Sequence, residues 1–400
     1  MFESTIVYEM KNSINDYPRL IQTKFEELFK QKALIIRSPG RINLIGEHLD
    51  YNMGFVLPAA INKAIYLGIQ QREDQTIKIH SLDFESDFEG SLNNIKPSGI
   101  LWPDYILGVV EQIQKKHALK KGFNIVFGGD IPPGAGLSSS AALECAAAYA
   151  LNELFELAYA KMDIVAIGQA AENEFVGVKC GIMDQFASVF GKKDQLIRLD
   201  CRNLEYIHVP FHANNVKILL FDTRVKHSLA DSAYNERREQ CEKGLSLIQH
   251  FHPEVLSLRD ANQDMLDKHV KNIDETVYRR CSYVISEISR LLKGCEELER
   301  NDLHSFGKLM FETHVGLKEL YEVSCTELDL LIDLVKESPD VIGARMMGGG
   351  FGGCTVNLVK SEAANDLIKK VADAYFSKTG AEMLAYEVGI EDGTELIGNQ

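Results

Sequence analysis

Four side chains able to bind ligands or move protons fall within ten residues. They are Arg41, Glu47, His48 and Asp50, in Arg41-Ile42-Asn43-Leu44-Ile45-Gly46-Glu47-His48-Leu49-Asp50-Tyr51-Asn52. Carboxylates and an imidazole on a loop suit a ligand rich in hydroxyls, because each accepts a hydrogen bond from an O–H. The same residues also read as a solvated loop with a local Arg–Glu pair, worth little. Local sequence leaves both open. His-Glu-x-x-His is absent, so no zinc-protease helix is implied.

A second stretch suits phosphate. Pro132-Pro133-Gly134-Ala135-Gly136-Leu137-Ser138-Ser139-Ser140-Ala141-Ala142 joins an apolar, β-branched strand at 123–127 to an Ala-rich helix at 141–154. Glycines allow close backbone approach, and a helix N-terminus offers unpaired N–H groups and partial positive charge. A well-capped helix after a proline turn is the plainer reading. No lysine follows Gly136, so this is not a Walker loop, and no final glycine completes a hydrolase elbow. His-Arg-Asp and Asp-Phe-Gly are both absent.

Two further segments carry candidate chemistry. Glu172-Asn173-Glu174 precedes Cys180-Gly181-Ile182-Met183-Asp184-Gln185, and Asp184 is the acid in an otherwise uncharged run over 180–190. It is either a buried functional carboxylate or a helix cap, and local sequence favours the cap. Met346-Met347-Gly348-Gly349-Gly350-Phe351-Gly352-Gly353-Cys354 matches the dinucleotide fingerprint in spacing alone. A strand follows it at once where a helix is required, so a nicotinamide site is rejected. The glycines imply close backbone approach or a structural hairpin.

Behind these residues the chain reads as alternating strands and helices. A helical opening is expected over 1–30, then strands at 33–37, 54–60, 63–70 and 76–80, with Ser38-Pro39-Gly40 breaking the first. Helices are expected at 104–117 and 162–174, and a strand at 216–222. The second half is helix-rich, at 231–250, 260–268, 274–299, 302–320, 325–337 and 361–378, with strands at 355–359 and 382–389. Strands and helices mix without strict βαβ alternation, which argues α+β. A domain change near 205–215 divides the chain into 1–210 and 211–400.

Composition narrows the function. The net charge of −15 argues against a nucleic-acid partner but not against a small anionic ligand. Eight cysteines show no Cys-x-x-Cys pairing, so neither zinc nor redox chemistry is suggested. No secretory signal and no membrane-spanning run is read, so a reduced, cytoplasmic protein is expected.

Together the three motifs resemble the galactokinase family of the GHMP small-molecule kinases, in the family's order, from about residue 37 to 359. The resemblance implies a two-domain α+β fold with the active site between the domains. It implies transfer of phosphate from ATP to the 1-hydroxyl of α-D-galactose, with Mg2+. By the same resemblance Asp184 and Arg41 are catalytic, and Arg41, Glu47, His48, Leu49, Asp50, Gly181, Asp184 and Tyr234 bind sugar. Ser81, Trp102, Gly134, Ala135, Gly136, Leu137, Ser138, Ser139 and Ser140 bind ATP, and Ser140 and Glu172 hold magnesium. Leu49 departs from the family's frequent threonine, and Pro103-Asp104 from its Ala-Asn. A monomer is the default expectation. Two rivals stand beside this reading: a galactose and ATP sensor without turnover, and a 1-kinase for N-acetylgalactosamine or arabinose.

Overall fold

The computed structural model describes residues 16–212, 214–226 and 230–398, so part of the expected opening helix lies outside the described residues. In chain order the first half comprises α1 (Tyr17–Phe29), β1 (Leu34–Asn43), β2 (Phe55–Val56), β3 (Pro58–Gln71), β4 (Thr76–Ser81), β5 (Ser86–Ser91), α2 (Leu101–Gln114), β6 (Phe123–Gly129), α3 (Ser139–Phe155), α4 (Lys161–Ala170), α5 (Met183–Phe190), β7 (Gln195–Asp200) and β8 (Tyr206–Pro210). The second half comprises β9 (Val216–Lys226), α6 (Ala230–Gln249), α7 (Gln263–His269), α8 (Glu275–Glu299), α9 (Leu303–Val315), α10 (Thr326–Val335), β10 (Val341–Met346), β11 (Gly352–Lys360), α11 (Ala364–Thr379), β12 (Leu384–Val388) and β13 (Glu395–Ile397).

One sheet runs β13-β1-β3-β6-β4-β5, antiparallel except where β4 meets β6. Period-two alternation gives it two buried faces. Ile35 and Val126 pack under α1 with Ile21 and Phe25. Gly68 lets α1 lie close, since a Cβ there would stand 2.7 Å from Ile21. Ile36, Leu67 and Phe127 face the main core, together with alanines 142, 146 and 150 of α3. A second sheet runs β10-β11-β9-β12, and a third β2-β7-β8.

Several expected boundaries shift. β1 does not stop at Ser38 but continues through Pro39 and Gly40, with a bulge between Pro39 and Arg41 that accommodates the proline in the ladder. The end of 54–60, from Pro58, joins 63–70 in the single long strand β3, and Phe55–Val56 remain as the short strand β2. β10 and β13 were not expected. The helix expected over 162–174 opens at Ala171 into a wide π turn, Ala171–Val176. Arg41 is a strand residue rather than a loop residue, and Asp50 begins a short helical turn. The chain also crosses its expected midpoint. β13 pairs with β1, and α8 offers Glu287 to the Gly46 N–H at 2.9 Å. Among the described residues, no helix is long and apolar enough to cross a membrane.

Candidate active site

The bulge in β1 sets the first functional side chain. Arg41 N–H donates to the Leu137 carbonyl at 3.1 Å, and a Cβ on Gly40 would stand 2.6 Å from the same oxygen. Strand and glycine-serine loop therefore touch backbone to backbone. The Arg41 guanidinium spans Asp184 as a fork, with Nε to Oδ1 at 2.8 Å and an Nη to Oδ2 at 2.9 Å. Its other Nη donates to the Gly136 carbonyl, and the Ser138 hydroxyl donates to Asp184 Oδ2. Asp184 is thus not the cap of α5; Ile182 holds that position without a side-chain bond.

Glu47 is almost fully buried. Its Oε1 accepts from Arg345 at 2.9 Å and from the Gly348 N–H at 2.8 Å. Burial alone would raise its pKa, but Arg345, Arg41 and that N–H outweigh it and hold the carboxyl below the ordinary range. His48 has φ 62°, and its Nδ1 lies 2.7 Å from the Tyr51 hydroxyl. Burial lowers the imidazole to about 4, which keeps it neutral near pH 7. Asp50 moves the other way. Burial, and then the charge of Asp184, lift its carboxyl to about 7. A Cβ on Gly181 would stand 1.7 Å from Asp50 Oδ2, so only glycine lets that backbone lie against the carboxylate. The Tyr234 ring packs 5.3 Å from His48 and 5.5 Å from Tyr51.

Arg41, Glu47, His48, Asp50, Gly181, Asp184 and Tyr234 line one cleft of about 440 Å³, shared with Glu172 and the backbone of Gly348, Gly349 and Gly350. Leu49 does not line it. Its side chain is fully buried in the core, so a role in binding falls to its neighbours rather than to its own side chain. The glycine run is the turn of the β10–β11 hairpin and forms one wall.

The glycine-serine loop stands beside this cleft rather than in its lining. Gly134 and Gly136 have φ +76° and +72°. Ser138 is also left-handed, at 59°, and it points its hydroxyl at Asp184 instead of capping α3. The first-turn N–H groups of α3 therefore lack a side-chain cap, the arrangement an anion can use. Ala135 and Leu137 are buried. Ser81 and Trp102 lie together, away from the cleft. Ser81 accepts the Phe84 N–H, and Trp102 packs against Phe84 and Phe127 at the end of β6, just before the loop.

Ser140 Oγ donates to Glu172 Oε1 at 3.1 Å. Burial, then Asp184, raise the Glu172 carboxyl above its usual range. No group of three or more His, Cys, Asp or Glu side chains forms a metal cage among the described residues. Two neighbouring hard oxygens fit Mg2+, which takes one or two protein ligands and completes its shell with phosphate and water. Sequence reasoning missed Arg345, fully buried, which donates to Glu47 and to the carbonyls of Leu44 and Asn43. The available signal was an arginine inside the apolar run 341–346.

Three segments of the chain match known family models. Residues 23–71 match the galactokinase galactose-binding signature, residues 104–192 the GHMP kinases N terminal domain, and residues 295–378 the GHMP kinases C terminal model. The chain is 42% identical over 385 residues to a galactokinase of Clostridium beijerinckii, covering 95% of this chain and 99% of that protein. Its fold superposes on the crystal structure of Lactococcus lactis galactokinase complexed with galactose at TM-score 0.90, with 34% identity, over 94% of this chain and 98% of that one. A mevalonate kinase structure shares the fold at TM-score 0.64 and 21% identity, over 90% of this chain and 100% of that one.

Proposed function

The chain belongs to the galactokinase family, and from that premise and the cleft we propose that it transfers the γ-phosphoryl group of ATP to the 1-hydroxyl of α-D-galactose, giving galactose 1-phosphate and ADP. The observation that carries this reading is the Arg41–Asp184 fork. It joins a cleft of hydrogen-bonding groups to the Gly136 carbonyl and the Ser138 hydroxyl of the glycine-serine loop.

In this reading Glu47, His48, Asp50 and Tyr234 hold the sugar hydroxyls, and Gly181 keeps Asp50 in place. Asp184 orients the 1-hydroxyl and takes its proton. Phosphoryl transfer passes through a loose transition state, so positioning and charge stabilisation dominate. Arg41 fixes Asp184 and supplies positive charge beside the transferring group. The glycine-serine loop and the N-terminus of α3 hold the phosphates, and Trp102 and Ser81 lie near the adenine. Ser140 and Glu172 would hold Mg2+, which offsets the charge of the phosphate oxygens. We place this activity in the cytoplasm, where eight unpaired thiols stay reduced.

The test is a coupled assay of ADP release. Turnover is expected with galactose and far less with its C4 epimer glucose, since a site built to bond one hydroxyl discriminates by ~10⁴ or more. Tight binding of galactose and ATP without turnover would instead identify a sensor. Equal kcat/KM for the two sugars would refute galactose selectivity.

A further inference from the structure

Behind Glu172 lies a polar pair that the reaction above leaves unused. Gln185 and Glu144 are both fully buried. One nitrogen, Gln185 Nε2, donates to Glu172 Oε2 at 2.7 Å and to Glu144 Oε2 at 3.1 Å. Glu172 Oε1 meanwhile accepts from Ser140, and Cys180 Sγ donates to Oε2 at 3.3 Å. The carboxylate is therefore gripped from two sides. We propose that Gln185, braced by Glu144, is the positioning residue that orients Glu172 toward the divalent cation; this rests on the galactokinase reading.

Three observations argue against incidental packing. Burying two carboxylates and an amide is costly, and Glu144 Oε1 and Gln185 Oε1 are buried without a hydrogen-bond partner. Apolar residues of the same size would make a more stable core. Glu172 also sits in the π turn that interrupts the helix ladder, so its direction depends on side-chain contacts more than on regular backbone. Room is kept for the strut as well: a Cβ on Gly168 would stand 3.2 Å from Gln185 Cγ and 3.5 Å from Glu144 Cβ.

The strut also joins two parts of the site. Gln185 follows Asp184 in the first turn of α5. One turn thus sends Asp184 to Arg41 and its neighbour to Glu172, which fixes the proton acceptor and the cation ligand relative to each other.

The test uses Mn2+ as probe, titrated into the full chain with saturating ADP, free Mn2+ being followed by electron paramagnetic resonance. Galactose affinity is measured separately by calorimetry without nucleotide. Partners behind a metal ligand typically influence affinity 10–100-fold. Gln185→Met, which keeps the volume but loses the amide, is expected to weaken Mn2+ by about tenfold or more, with galactose affinity within about twofold of the parent. Glu144→Leu should act in the same direction. Glu144→Gln should not, because it keeps an acceptor for Nε2. If Gln185→Met does not fold, Gln185→Asn withdraws the amide by one methylene and carries the same expectation. Glu172→Gln is the control. Parent-like Mn2+ affinity in the Gln185 variant, with Glu172→Gln weakened, overturns the proposal alone. Parent-like affinity in Glu172→Gln overturns the metal assignment beneath it. Equal losses of Mn2+ and galactose affinity in the Gln185 variant would mean general damage and also overturn it.

Discussion

Asp50 is the acid in the cleft that titrates near neutrality, because burial and the Asp184 charge hold its carboxyl at about 7. Only the ionised form presents two acceptor oxygens to sugar hydroxyls. Galactose should therefore bind about tenfold more weakly at pH 6 than at pH 8, one unit of titration on either side. His48, at about 4, stays neutral through this window, and Glu47, held low, stays charged. Calorimetry at the two pH values checks this, and Asp50→Asn should flatten the profile. Asp184→Asn should keep the fold and galactose affinity while kcat falls by ~10²–10⁴; near-normal turnover would remove Asp184 from its proposed role. The residue types in 41–50 and the acid at 184 were readable because short motifs carry them. Arg345 and Gln185 were not. Arg345 is an isolated polar residue in an apolar run, Gln185 stands beside a more conspicuous acid, and the meaning of each comes from partners elsewhere in the chain, Glu47 for Arg345 and Glu172 for Gln185.

The hairpin turn between β10 and β11 shows how an element constrains its own sequence. Gly350 has φ +88°, and a Cβ there would stand 2.1 Å from the Val323 carbonyl. Gly350→Ala should destabilise the protein by about 2 kcal/mol or more, left-handed strain alone costing about 1–2 kcal/mol. Gly349→Ala is the contrast. Its Cβ would meet only the Tyr234 ring, at 3.4 Å. Urea unfolding of the two variants should separate them, and equal stabilities would count against the argument. Most helices were legible from their period. β10 was not, because Val341–Met346 is short and carries both a glycine and an arginine. β1 was cut short at Pro39 because a bulge that tolerates proline depends on its partner strand, which local sequence does not display.

At the scale of the molecule, the strands of the second sheet all lie after residue 210, yet the chain then returns to the first sheet. Thr394 Oγ1 lies 2.8 Å from Ser38 Oγ, which is 3.0 Å from Ser188 Oγ, and Thr394 N–H and Oγ1 both donate to the Ser188 carbonyl. All three side chains are buried. Thr394→Val should leave Ser38 and Ser188 short of a partner and cost about 1–3 kcal/mol in chemical denaturation, with kcat unchanged. A pairing over so long a separation leaves no local signature to read. It does have a meaning for synthesis. Ile35, Ile36 and Arg37 of β1 take Ile397, Leu396 and Glu395 as neighbours. A ribosome adding about 5–20 residues per second makes the second set roughly 20–70 s after the first. Through that interval the outer edge of β1 presents open N–H and C=O groups, a template for any extended chain nearby. Translation speed then sets how long nascent copies on one polysome can mispair, and slower elongation lengthens the exposure.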